Sequence, residues 1–133
     1  MIILRTHPEH VPRVVELSMH ALARAPKLAS GDLILISLAI AKISDGLPPI
    51  RYVMDFDKIR ADRSGDMSRE IWGKKWPYLL YGRNCRELSQ PFDIRDHQVS
   101  DNNYGQGGPF VYVHPADQAA LAELGLLATA RAA

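Results

Sequence analysis

Trp72 and Trp76 stand four residues apart in a stretch that also carries Lys74, Lys75, Arg83 and Arg86, with Tyr78 and Tyr81 among them. Aromatic faces stack on bases and cations hold a phosphodiester backbone, so this mixture suits a single strand or an extruded base. The same residues also serve plain structure. Strand aromatics pack cores, and the stems of lysine and arginine cover apolar surface. Across the middle third of the chain basic residues outnumber acids, which gives a modest cationic surface interleaved with rings.

Asp55, Asp57 and Asp62 form the other chemically suggestive group, with Lys58 beside them. Carboxylates paired with a lysine can hold a divalent cation for hydrolysis, which makes a metal-dependent hydrolase or nuclease the alternative reading. On a strand, however, Lys58 points away from Asp55 and Asp57, and a solvated charged face explains the same residues. The five histidines, His7, His10, His20, His97 and His114, show no metal-ligand spacing. Cys85 could pair with His97 or His114 as nucleophile and base, but nothing in the sequence brings them together. Nucleophile elbow, P-loop, dinucleotide fingerprint and zinc-protease motifs are all absent. Gly105–Gly108 leads into Pro109 and a strand instead of a helix N-terminus, so it lacks the usual phosphate cradle. The expectation is no catalytic residue, no metal and no cofactor.

The bulk composition sets the frame for these residues. The chain has 133 residues, 47% hydrophobic and 23% charged, with a net charge of +1 and one cysteine. That suits one domain over residues 1–133 in a reducing cytoplasm. The longest apolar run, Leu33–Ala41, is shorter than the ~20 residues of a membrane span, so no membrane association is expected.

The elements that must position the chemistry follow from periodicity. Ile2–Arg5 reads as a short strand, and the segment from Pro8 to Ala25 as a helix, with Val11, Val14, Val15, Leu22 and Ala25 on one face and Pro26 ending it. Gly31–Asp32 is a turn into an apolar strand from Leu33, buried on both faces. Ile50–Arg60 alternates, with Ile50, Tyr52, Met54 and Phe56 inward, and pairs antiparallel with the strand before it. A short helix at Met67–Trp72 precedes a strand Trp76–Gly82, which Pro77 restricts to an edge or a strand start. A further strand near Phe92–Val99, or a strand with a short helix beside it, a loop at Ser100–Pro109, a strand Phe110–His114 and a C-terminal helix from Pro115 complete the chain. Ala119, Ala120, Leu121, Leu124, Leu126 and Leu127 give that helix an apolar surface that could form a homodimer. The fold class is α+β, a small curved sheet or pseudo-barrel of five or six mostly antiparallel strands with flanking helices.

The order of segments resembles the PUA-like superfamily, more narrowly its EVE branch with the YTH and ASCH relatives. The matching residues are Gly31–Asp32 opening a strand after a helix, Trp76–Pro77–Tyr78 opening a later strand, and Leu88–Ser89–Gln90–Pro91 beyond it, within residues 8–94. The resemblance implies a pseudo-barrel with a concave pocket and a non-catalytic module that binds DNA or RNA, with a modified base held between aromatic side chains. On that basis Ser37, Trp72, Trp76, Asn102, Asn103, Tyr104 and Gln106 are expected to line the base pocket. Lys74, Lys75, Arg83 and Arg86 are expected to contact phosphates. Two departures from the pattern are visible. The family's early tryptophan has no counterpart, and its aromatic–serine pair is Ile36–Ser37 here.

Overall fold

The computed structural model describes residues 1–38, 48–104 and 109–123. Strand β1 (Ile2–Thr6) leads through a 3-10 turn (Pro8–His10) into α1 (Val11–Leu17), followed by β2 (Met19–Leu22) and β3 (Leu33–Leu38). Then come β4 (Ile50–Ala61), α2 (Asp66–Trp72), β5 (Tyr78–Phe92), a 3-10 turn (Ile94–Asp96), β6 (Phe110–Tyr112) and α3 (Pro115–Glu123). The described strands form one six-stranded sheet in the order β2-β5-β4-β3-β1-β6. β1 and β3 run parallel, with Leu4 opposite Ile36, and the other neighbours are antiparallel.

The sheet curls until its edge strands approach one another. The Arg24 guanidinium, just after β2, lies 4.9 Å over the ring of Phe110 in β6. The Lys27 backbone N–H donates to the Tyr112 hydroxyl at 2.9 Å. Side chains thus bridge the seam where a closed barrel would have a ladder. Inside the curl, Ile2, Leu4, Ile34, Ile36, Met54 and Leu80 pack with Val14 of α1. Outside it, Ile3, Leu35, Val53 and Leu88 pack with Ile94, Tyr104 and Leu121 of α3. Both faces of β1 and β3 are therefore dry, as an unalternating Ile/Leu run requires.

The α+β curled sheet is the architecture expected from the sequence, with three local corrections. The first helix stops at Leu17, because Ser18 takes a left-handed conformation (φ 52°) and caps it through its N–H to Val14. Met19–Leu22 then pairs with β5, Met19 opposite Tyr81. The apolar spacing of this short piece satisfies a helix as well as a strand, and the β5 ladder decides between them. Second, β5 runs unbroken from Tyr78 to Phe92 and gives way to the 3-10 turn at Ile94, so no separate strand occupies Phe92–Val99. Third, register shifts interrupt the β4 ladder, the first of them between Ile50 and Tyr52, and Ile50 packs in the outer cluster with Val53 while Tyr52, Met54 and Phe56 stay inside. On β5, Gly82 carries no side chain where a Cβ would stand 2.6 Å from the Met54 sulfur.

Candidate functional site

At one end of the sheet the tips of β3 and β4 meet the start of α1 and leave a cleft of about 380 Å³. Its walls are Pro8, Val11 and Pro12 from the helical side, Ile36, Ser37 and Leu38 from β3, and Pro49, Arg51 and Tyr52 from β4. Strand pairing sets this arrangement, with Ile36 opposite Tyr52. The Tyr52 ring is half-buried against the inner core, and Arg51 beside it is exposed. Ser37 is 7% exposed and donates its hydroxyl to the Pro48 carbonyl at 3.3 Å. Three proline rings and one phenol ring make flat apolar walls, while a guanidinium and a hydroxyl supply polarity. That is the usual make-up of a small-molecule site.

Behind the cleft lies a buried polar pair. His20 Nδ1–H donates to the Ala21 carbonyl at 2.8 Å, which fixes the tautomer, so Nε2 accepts from the Thr6 hydroxyl at 3.0 Å. Burial pushes the His20 imidazole down to about 4; the Ala21 bond opposes this in part, and His10 adds to it. Thr6 is in register with Leu38 of the cleft wall, so this neutral pair belongs to the strand that backs it.

The sheet separates the residues expected to form one pocket into two groups. Ser37 lies in the cleft, whereas Trp72 ends α2 and Trp76 precedes β5, beyond the far end of β4. At ~3.3 Å per residue, the run from Tyr52 to Ala61 puts ~30 Å of strand between them. Tyr104 is not an open wall. It is 1% exposed, with its hydroxyl donating to Asp117 and its carbonyl accepting from Arg5. Asn102 is half-buried, its carbonyl accepting from the Gln98 amide at 3.0 Å, and Asn103 is exposed. Gln106 lies outside the described residues.

The expected phosphate contacts divide as well. Lys74 is exposed, with its ammonium 4.7 Å above the Trp76 ring, and Lys75 is exposed beside it. Arg83 is exposed and donates to the Ser30 hydroxyl at 3.2 Å. Arg86 requires correction. It is 9% exposed, 3.2 Å from Asp55 and donating to the Asn84 carbonyl at 2.9 Å, so it is spent within the fold.

That contact also engages the first of the three carboxylates considered for hydrolysis. Asp62 accepts from the Ser68 N–H at 2.9 Å, a bond that with the Ser68 hydroxyl holds its carboxyl below the usual range. Among the described residues no three His, Cys, Asp or Glu side chains converge as a metal site. Cys85 is buried, and burial pushes its thiol up to about 11, with Arg86 opposing in part. On α3, Leu121 is 1% exposed and faces the chain's own core, while Leu124, Leu126 and Leu127 lie outside the described residues. No described helix is long and apolar enough to cross a membrane.

The ASCH structure from Zymomonas mobilis superposes with a TM-score of 0.62 at 11% identity, covering 92% of this chain and 94% of that one. A variant of that protein with a tyrosine changed to phenylalanine gives 0.60 at 12% identity over 92% and 96%. A serine-to-alanine variant gives 0.59 at 12% over 92% and 94%. This chain has the PUA-like fold of an ASCH domain. At such identity the likeness concerns the fold alone. No protein-family model and no curated protein matches the sequence.

Apart from Ser37, sequence reasoning missed the walls of this cleft. Tyr52 reads as one more inward residue of an alternating strand, and it is that, but strand pairing also leaves its ring edging a cavity. Its signal was faint: three prolines, Pro8, Pro12 and Pro49, flank the segments that meet there.

Proposed function

We propose that this ASCH-type chain is a non-catalytic nucleic-acid-binding module that seats one base of a single strand in the Tyr52 cleft. The observation that carries the reading is the cleft itself. Its volume of about 380 Å³ falls in the range of small-ligand sites, roughly 300–1,000 Å³. The Tyr52 ring and the prolines offer faces for stacking, Ser37 can meet a base edge, and exposed Arg51 can hold the adjoining phosphate. The PUA-like fold supports an RNA-binding or related role, and the target is a strand because a paired base cannot enter a cleft.

The proposal extends to a modified base. Val11, Ile36 and Leu38 add aliphatic surface, so an added methyl that fits against them gains ~0.8 kcal/mol, or roughly fourfold in affinity. The test is anisotropy titration of single-stranded RNA and DNA, methylated and unmodified, at two salt concentrations. Saturable, salt-dependent binding that weakens at least tenfold in Tyr52→Ala, with the circular dichroism spectrum unchanged, supports it. An absence of saturable binding, or indifference to Tyr52→Ala, overturns it.

A further inference from the structure

A second concavity opens at the opposite end of β4. Ala61, Asp62, Arg63, Lys75, Pro77 and Tyr78 line an open groove of about 530 Å³. Its composition differs from that of the cleft, with two cations, one ring and one proline. The fold builds it deliberately. Gly65 adopts φ 74°, and a Cβ there would stand 2.3 Å from Lys75 Cγ, so the glycine is what lets the lysine stem lie against this turn. The Ser68 hydroxyl accepts from the Trp76 N–H at 2.9 Å, which ties the Lys74–Pro77 connection to α2. Close by, lysines already stand over aromatic faces: Lys74 4.7 Å from the Trp76 centroid and Lys58 5.5 Å from that of Tyr81.

We infer that this groove holds the sugar–phosphate backbone of the same single strand whose base occupies the Tyr52 cleft. The inference rests on the proposed function and adds the class of target: a single strand long enough to reach both ends of β4. Arg63 and Lys75 meet phosphates, and the Tyr78 ring offers a stacking face, the combination that binds a strand without reading its sequence. Asp62 is the one carboxylate among the lining residues; it accepts from the Ser68 N–H as the tie to α2 and also attracts the Lys75 charge, so it offsets part of the groove's cationic field. The ~30 Å of strand between the sites corresponds to about nine stacked nucleotides at ~3.4 Å each.

The test is the salt dependence of affinity for a 12-nucleotide single strand, measured on the wild type, Lys75→Gln, Arg63→Gln, Lys75→Arg and Asp62→Asn. For single strands each lost phosphate contact lowers the slope of log affinity against log salt by roughly 0.7. The expected result is that drop in each glutamine variant, wild-type slope in Lys75→Arg, and tighter binding in Asp62→Asn, whose amide oxygen can still accept from Ser68. Binding that is lost in Tyr52→Ala but keeps its slope in both glutamine variants overturns this inference and leaves the proposed function standing. A wild type that binds no strand overturns the proposed function and the inference together.

Discussion

The Arg86 guanidinium lies 3.2 Å from the Asp55 carboxylate across the β4–β5 pairing. With Arg86 9% exposed, the contact explains why a cation in a basic stretch is unavailable to phosphate and why one of three nearby acids is unavailable to a metal. Breaking a buried pair from one side strands a charge, at about 3–5 kcal/mol when both partners are dry. Asp55 is about one-third exposed, and solvent screening reduces that figure. Asp55→Asn is therefore expected to cost about 1–3 kcal/mol in urea denaturation. The double variant with Arg86→Met should recover part of the loss.

His20 gives the protein a pH dependence that can be assigned to one residue. Its folded value of about 4 lies below the ordinary 6.5, so between these values the unfolded chain binds the proton and the folded chain does not. Stability should thus fall as pH drops from 6.5 towards 4, by up to about 1.4 kcal/mol per pH unit, and level off below. His20→Gln keeps a donor and an acceptor and does not titrate. Its stability, lower at neutral pH, should be nearly flat across the same window in urea melts.

Asp117 works in a more acidic window. Burial alone would raise its carboxyl, but the Ser100 and Tyr104 hydroxyls and the Ser100 and Val99 N–H groups outweigh that and hold it far below the usual range. Its stabilisation is present above the ordinary carboxylate value and is lost as pH falls below it, beneath the His20 window. The carboxylate accepts from the Val99 and Ser100 N–H groups at 2.7 and 2.9 Å, fastening residues 99–104 to the first turn of α3. Asp117→Ala leaves several donors unmatched, at about 1–3 kcal/mol each where they stay dry. The expected signature is loss of hydrogen-exchange protection at Val99 and Ser100, with Tyr104→Phe showing a smaller effect.

Much of this fold is written locally. The Ile/Leu run after Gly31 has no polar face to turn to water, and it becomes a strand covered on both sides. Gly31 itself takes φ 91°, with Asp32 accepting from the Ala29 N–H at 2.8 Å, as the turn chemistry demands. What could not be read depends on partners distant in sequence. Ser18 ends a helix because Gly82 of β5 donates to its carbonyl at 2.7 Å. Tyr104 sits among asparagines like an open loop residue, yet an aspartate thirteen positions on buries it. The family resemblance groups both tryptophans with Ser37, and a twelve-residue strand sets them apart. The cleft's walls other than Ser37 escaped notice because they come from three separated segments, each ordinary alone.

The placement of the tryptophans makes the two-ended geometry visible by fluorescence. Trp72 and Trp76 both belong to the α2–β5 end, and both are half-buried. Contact quenching by a base needs near-touching distances, and the Tyr52 cleft is ~30 Å of strand away. A single nucleoside that fills the cleft should therefore leave tryptophan emission unchanged, even at saturation followed by calorimetry. A 12-nucleotide strand that also enters the groove should change it. Trp76 stands in the chain between Lys75 and Pro77 of the groove lining, so Trp76→Phe should remove most of that change and Trp72→Phe less of it. Quenching by the nucleoside alone would mean that the base sits by the tryptophans, and the assignment of cleft and groove would have to be exchanged.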